Sequence, residues 1–330
     1  MLLPCKFGLF PLTKPAGYSM IILNSYGNIL YFTIHGGNPP MTKRNRHLFP
    51  STGTMVGYRN GYDYRRALGE FVRLREAGLC DGVELMMLQF YYDKLETVAD
   101  AVNASGLVSA DSVIHCEKEV GTMISDAGVL HADGKYDEAE ALYREAYGFY
   151  LKNCRMAELT GLHRMVLHLW GGRSSDGHAD YNASKLAELS ETAAAHGVRL
   201  LVENIPSSHG DPLSNWQSLF PLPENTAFIF DTRFGKLHEQ TAETLTNPQI
   251  TPHIEHIHIS DFGGTYRDFA ALRPILHPGE GTIDFDEVAS LLDGMNYTGT
   301  VTLESPVMLD GGEYDIPKLE NTLSYLINIL

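Results

Sequence analysis

Positive charge is scarce in this chain, and long apolar runs are missing. There are 25 Lys and Arg against 41 Asp and Glu, a formal net charge of −16. Phosphates repel so acidic a surface, which argues against unaided binding to nucleic acid or to an anionic membrane, although a local basic groove stays compatible with it. No uninterrupted apolar run reaches the 18 or so residues a membrane span needs. The apolar stretches 20–23 and 29–34 are broken by Asn24, Gly27 and Asn28. A basic start followed by an apolar core and a small-residue cleavage site is also missing, so a signal peptide is not expected. None of the four cysteines, Cys5, Cys80, Cys116 and Cys154, forms a C-x-x-C pair. Reduced, mostly buried thiols in a cytoplasmic protein are the reading. Internal repeats, low-complexity segments and, after residue 48, linkers are absent as well.

What is present from residue 48 onward is an alternation of strand and helix. Short apolar runs at 48–55, 82–87, 112–115, 165–168, 200–203, 228–231, 254–258 and 298–304 read as eight buried strands. Helical spacing separates them, as at 62–77, where Ala67, Phe71, Leu74 and Ala77 share a face and Gly78 follows as a stop. Further helices are expected at 92–104, 183–195, 281–292 and 317–330, with short ones at 212–219 and 239–245. Between the third and fourth strands the stretch 117–159 holds two helices joined at Asp133-Gly134, the second strongly amphipathic from 137 to 159. Its Tyr143, Tyr147, Phe149 and Tyr150 read as helix packing rather than a pocket cap or a dimer face.

Such alternation implies parallel strands with right-handed crossovers, and eight units over roughly 280 residues fit a closed (β/α)8 TIM barrel in one domain. The doubly wound nucleotide-binding fold is the weaker reading, because 51–57 (Ser-Thr-Gly-Thr-Met-Val-Gly) lacks G-x-G-x-x-G. Residues 1–47 precede the barrel at 48–330 and end in the basic cluster Lys43-Arg44-Asn45-Arg46-His47. They are expected to be a loosely ordered extension, or an upstream region translated from a wrongly chosen start with Met41 nearer the true one.

Four strands in the second half each end on a side chain able to bind metal: Glu203, Asp231, His258 and Glu304. Parallel barrel strands bring their C-terminal ends to one face, where barrel enzymes keep their chemistry. Two glutamates, an aspartate and an imidazole form a hard, oxygen-rich set suited to Mn²⁺, Mg²⁺ or Co²⁺, with Zn²⁺ a further candidate. Four protein ligands on an octahedral ion leave two positions for substrate oxygens.

The local context resembles the xylose-isomerase-like superfamily of sugar isomerases and epimerases. The matching segments are Val202-Glu203-Asn204, Phe230-Asp231-Thr232, His256-Ile257-His258-Ile259-Ser260-Asp261, Pro278-Gly279-Glu280-Gly281 and Leu303-Glu304, with weaker matches at 82–85 and 166–168. This resemblance implies a TIM barrel with one divalent ion on Glu203, Asp231, His258 and Glu304. It also implies that Glu203 and Glu304 act as acid and base on opposite faces of a small carbohydrate. A cation on a ketose carbonyl and its neighbouring hydroxyl stabilises the enediolate left when a proton leaves the adjacent carbon.

Other positions carry expectations of their own. His168, His115, Glu84, Arg267 and His238 are assigned to substrate binding, as is Trp170, an indole stacked beside the sugar. Asp261 is assigned to orienting His258 or its loop. Phe234 stands where family members commonly have a histidine, so either a longer loop returns His238 or that role is lost. The same departure, with Arg273-Pro274-Ile275 in place of an Asp-x-His, weakens the apurinic-site endonuclease branch. No phosphate cradle is visible, which favours an unphosphorylated substrate. A dehydratase of a keto-inositol-like substrate and a non-catalytic sugar or metal binder remain as alternatives, and a homo-oligomer is left open.

Overall fold

The computed structural model describes residues 18–23, 29–34 and 46–330. Two compact units divide at Arg44/Asn45. In the first, β1 (Tyr18–Leu23) and β2 (Ile29–Ile34) pair antiparallel. What the sequence led us to expect of 1–17, 24–28 and 35–45 lies outside the described residues, Cys5 included. The barrel unit starts slightly before the expected residue 48. His47 already belongs to the first barrel strand, and Arg46 is buried, donating from Nε to the Tyr297 carbonyl (3.1 Å) and pairing with Asp293.

Eight strands follow: β3 (His47–Pro50), β4 (Glu84–Met86), β5 (Val113–His115), β6 (Arg164–Leu167), β7 (Arg199–Glu203), β8 (Thr226–Asp231), β9 (Ile254–Ile259) and β10 (Thr300–Leu303). They pair parallel in the order β3-β10-β9-β8-β7-β6-β5-β4. A parallel bridge from Ser51 to Glu84 joins the two ends, so the TIM barrel is nearly closed. Helices α1 (Tyr64–Glu76) and α2 (Leu95–Ser105) occupy the first two connections. The expected insertion between the third and fourth barrel strands is the pair α3 (Glu119–Ala132) and α4 (Tyr136–Thr160). Then come α5 (Ala179–Ala195), α6 (Pro212–Ser218), α7 (Thr232–Leu237), α8 (Thr241–Thr246), α9 (Phe285–Gly294) and α10 (Ile316–Ile329). Carboxylates cap several of these helices, Asp63, Asp284 and Asp315 accepting from first-turn amides of α1, α9 and α10. The α4 tyrosines pack on α5: Tyr143 Oη donates to Glu188, and Tyr150 Oη to the Leu189 carbonyl.

Strand parity positions the site. Successive side chains on a strand face opposite sides. Val113, Val166, Leu201, Ala227 and Ile229 form a small apolar plug inside the barrel, whereas Leu200, Val202, Phe228, Phe230, Ile257 and Leu303 join the larger core between strands and helices. Stepping two residues along each inward row leads from Leu201 to Glu203, from Ile229 to Asp231, from Val113 to His115 and from Val166 to His168. The apolar plug is thus overlain, at the strand C-termini, by a layer of titratable side chains. Among the described residues no helix is long and apolar enough to cross a membrane, and Cys80, Cys116 and Cys154 are buried and not disulfide-bonded.

Candidate metal centre

Glu203 and Asp231 are the last residues of β7 and β8, His258 is next to last in β9, and Glu304 follows β10. One ligand atom from each of these four buried residues lies within 4.8 Å of the others. Local bonds aim them. Asp231 caps α7, its Oδ1 accepting from the amides of Arg233 (2.7 Å) and Phe234 (3.1 Å), which leaves Oδ2 for the site. Asn204 ties the β7 end to the β8 end, accepting from the Asp231 amide (2.6 Å) and donating to the Asp231 carbonyl (3.1 Å).

His258 sits between two carboxylates, with Nδ1 2.9 Å from Glu203 Oε1 and Nε2 2.7 Å from Glu84 Oε2. Glu84 therefore does not meet substrate as expected. It is fully buried beneath the imidazole, where accepting from Nε2–H fixes the ring with Nδ1 toward Glu203; were that nitrogen to lose its proton, its lone pair would face the other three residues of the quartet. His115 is held similarly, Nδ1 2.8 Å from the Cys116 carbonyl, leaving Nε2 3.6 Å from Glu203 Oε2. His168 places Nε2 2.7 Å from the same oxygen, and burial pushes its pKa down to about 4.

The electrostatics call for a cation. Asp231 Oδ2 and Glu304 Oε1 are buried with no hydrogen-bond partner, while Glu203 Oε2 meets only the Nε2 atoms of His168 and His115. An unpaired buried carboxylate oxygen is costly unless a metal or a proton meets it. Burial, reinforced by the charges of Glu203 and Glu304, pushes the Asp231 carboxyl up to about 7, against the opposing pull of Arg233. His258 is raised well above its ordinary value: burial opposes the charged form, but Glu304, Glu84 and Glu203 outweigh it. Glu304 is lowered to about 2, because His258 and Lys118 overcome the cost of burial. Protons on Asp231 and His258 thus balance charge that a divalent ion would balance better. These residues fit such an ion in donor type, number and charge.

Next to the quartet, and joined to it through His168 and Arg233, lies a cavity of about 420 Å³ lined in part by His168, Phe234 and Phe269. His168 belongs to both, lining the cavity while its Nε2 meets Glu203. Several expected substrate contacts lie elsewhere. Trp170 is buried in the core with Nε1 donating to the Ile205 carbonyl (3.2 Å), so its indole offers no open face for stacking. Phe234 lines the cavity, and His238 Nε2 accepts from the Ser207 amide (3.2 Å). Arg267 clamps the loop before α6, donating to the carbonyls of Gly210 (2.9 Å) and Ser208 (2.6 Å). Asp261 organises its loop rather than His258, accepting from the amides of Phe262, Gly279, Gly281 and Ile283. A Cβ at position 281 would collide with that carboxylate, which explains the second glycine of Pro-Gly-Glu-Gly.

Sequence reasoning passed over His256, fully buried with Nε2 2.9 Å from Thr302 Oγ1 and 3.7 Å from Glu84 Oε2. Parity was the available signal, since residues 256 and 258 of one strand must face the same side. It also passed over Lys118, Arg173, Arg233 and Arg273 around the cavity.

The chain belongs to the xylose isomerase-like TIM barrel family, whose model matches residues 71–321. No curated protein sequence matches it. Among solved structures, it is similar to an L-ribulose 3-epimerase (TM-score 0.59, 16% identity, covering 84% of this chain and 86% of that one). It is also similar to a D-psicose 3-epimerase with D-tagatose from Clostridium cellulolyticum H10 (TM-score 0.60, 14% identity, 86% and 99% covered). A 3-keto-D-glucoside 4-epimerase from E. coli gives a TM-score of 0.58 at 17% identity, with 86% and 99% covered. At such identities the likeness is one of fold.

Proposed function

We propose that this protein is a divalent-metal-dependent isomerase or epimerase of a small ketose or related sugar, with Glu203 and Glu304 exchanging protons with the carbon next to the carbonyl. The observation that carries the reading is the convergence of Glu203, Asp231, His258 and Glu304 within 4.8 Å at the barrel mouth. Two of their oxygens, Asp231 Oδ2 and Glu304 Oε1, are left without a hydrogen-bond partner. The named activities of the similar structures support it.

A bound Mn²⁺, Mg²⁺, Co²⁺ or Zn²⁺ would supply Lewis-acid polarisation of a ketose carbonyl. The protein supplies the proton transfers. Glu304 Oε1 is unpartnered and Glu203 Oε2 meets only imidazole nitrogens, and one of these two carboxylates takes the proton from the carbon beside the carbonyl while the other returns a proton. Return to the opposite face of the same carbon gives an epimer, and return to the neighbouring carbon gives an aldose. His168, held neutral by burial, lies 2.7 Å from Glu203 Oε2 and positions that carboxylate beside the cavity. Phe234 and Phe269 give the cavity an apolar wall.

Incubation with Mn²⁺ and a panel of ketoses in D₂O tests the reading. Deuterium is expected at the carbon adjacent to the carbonyl in at least one recovered sugar, and its absence from every sugar overturns the proposal. Product mass separates a dehydratase, which loses water. The phenylalanine at position 234 favours a second reading, a non-catalytic sugar binder. Sugar binding with no exchange would establish it.

A further inference from the structure

The cavity that adjoins the quartet through His168 and Arg233 has a charge opposite to that of the molecule around it. Lys118, Arg173, Arg233 and Arg273 all line it, and among the described residues no carboxylate does, although the chain carries 41 acidic residues against 25 basic ones. Each cation comes from a different connection at the strand C-termini: Lys118 follows β5, Arg173 follows β6, Arg233 lies in α7 after β8, and Arg273 precedes α9. Lys118, Arg173 and Arg273 are exposed and make no ion pair with any described carboxylate. Arg233 is different. It is 4% exposed, donates from Nη1 to the Leu272 carbonyl (3.2 Å), lies 3.9 Å from Asp231 Oδ2 through Nη2, and keeps an unpartnered Nε.

Four like charges repel one another, and burying one of them is costly without a counter-charge. Asp231 balances Arg233 only in part. A bound cation would engage that carboxylate further, leaving the guanidinium and the three rim cations for another anion. Barrel enzymes commonly bind phosphate in loops of this face, and guanidinium groups match phosphate and carboxylate geometry in a bidentate manner.

We propose that the substrate is an anionic sugar: a ketose whose carbonyl end sits over the quartet and whose terminal phosphate or carboxylate is held by Lys118, Arg173 and Arg273, with Arg233 as the wall behind. This rests on the reading above for the placement of the carbonyl end, and the anion site is tested separately from turnover. It also reverses the sequence-based expectation of an unphosphorylated substrate. The four residues are scattered over 156 positions, so no local motif announces them.

The test has two arms. Solvent deuterium exchange is compared for a ketohexose, its 6-phosphate and its 6-carboxylate with Mn²⁺ present. One anionic form is expected to exceed the neutral sugar at least about tenfold in kcat/KM, mostly through KM and less so at high salt. Which anion leads identifies the source. In the triple variant Lys118→Ala, Arg173→Ala, Arg273→Ala, the ratio of anionic to neutral is expected to fall toward one. A ratio near one already in the wild type overturns the proposal and leaves the enediolate reading standing. The second arm is calorimetry of glucitol 6-phosphate and of inorganic phosphate with a chelator present, so that no metal can take the anion. Saturable binding weakened at least about tenfold in the triple variant supports the site even if no sugar exchanges. No binding by the wild type at low salt overturns it.

Discussion

Metal binding should govern how this barrel's stability depends on pH. Without a cation, Asp231 titrates near 7 in the fold against 3.8 as its ordinary value. A carboxyl raised on folding holds its proton more tightly in the native state, so stability falls as pH rises from about 4 through 7, and the full cost is present above that. Three units at about 1.36 kcal/mol each make this cost on the order of 4 kcal/mol. His258 acts in the same direction. Its raised pKa contributes stability below its ordinary 6.5, and that contribution is lost as pH rises through the folded value. About half of that cost, roughly 2 kcal/mol, falls between pH 5.5 and 7, so at roughly 2–4 °C per kcal/mol Asp231 should lower the metal-free Tm by about 4–8 °C at pH 8 relative to pH 5.5, against a smaller opposite trend from the depressed His168 below pH 6.5. Mn²⁺ displaces both protons, so its affinity should climb about 10- to 100-fold per pH unit between 6 and 7, and saturating Mn²⁺ should flatten the profile. Scanning calorimetry with Mn²⁺ or chelator gives the profiles, and titration calorimetry in two buffers of different ionisation enthalpy counts the protons. Asp231→Asn provides the sign test: without metal at pH 8 it should be more stable than the wild type, yet gain nothing from Mn²⁺. A wild-type Tm indifferent to Mn²⁺, or an affinity that falls with pH, refutes the assignment.

Glu203→Gln and Glu304→Gln should each slow solvent deuterium exchange by about 10²- to 10⁴-fold with circular dichroism unchanged, as expected for loss of a proton-transfer group; exchange at the wild-type rate in either variant removes that residue from the chemistry. Glu84→Gln keeps all four ligands but presents His258 Nε2 with an amide able to reverse the tautomer, so Mn²⁺ affinity should fall about 10- to 100-fold, and unchanged affinity disproves the orienting role. Asp176 titrates at about 2 rather than 3.8, since hydrogen bonds from the His209 and Gly210 amides and the Asn215 side chain outweigh the cost of burial. This depressed value contributes about 2 kcal/mol above pH 4 and is lost as pH falls through about 2. Asp176→Asn should therefore lower stability to urea at pH 7 by that order and make little difference near pH 2, and an equal loss at both pH values refutes it.

The barrel was legible in the sequence because its strands are buried on both faces and so read as continuous apolar runs, separated by helices with clear stops such as Gly78. The insertion of two helices was legible at Asp133-Gly134 for the same reason. Boundaries drifted where cap chemistry decides them. The first strand ends at Pro50 rather than continuing to 55, since 52–54 form a 3-10 turn that Ser51 Oγ caps. Helix α7 went unseen because Asp231, read only as a metal ligand, is at the same time its N-cap. Its Oδ1 accepts from the helix amides while Oδ2 is left to the candidate site, a division that sequence cannot display.

The quartet could be named because each ligand interrupts an apolar run at a strand end. Its supporting residues could not, because their roles depend on depth. Glu84 begins its strand rather than ending it, and a carboxylate one layer down meets the underside of His258 instead of a sugar. Trp170 lies two residues past His168 on the same parity, but beyond Leu167 the chain has left the strand, and the indole turns into the core. Parity therefore predicts direction only while the backbone stays extended. The basic rim shows a second limit. Net charge sums over the whole surface and gave −16, whereas the cavity has a local potential of its own, where four separate βα connections contribute cations and no described carboxylate lines it. A molecule can be acidic overall and still present a positive pocket, because at physiological salt exposed charges beyond roughly 8 Å are largely screened and the nearest side chains set the local potential.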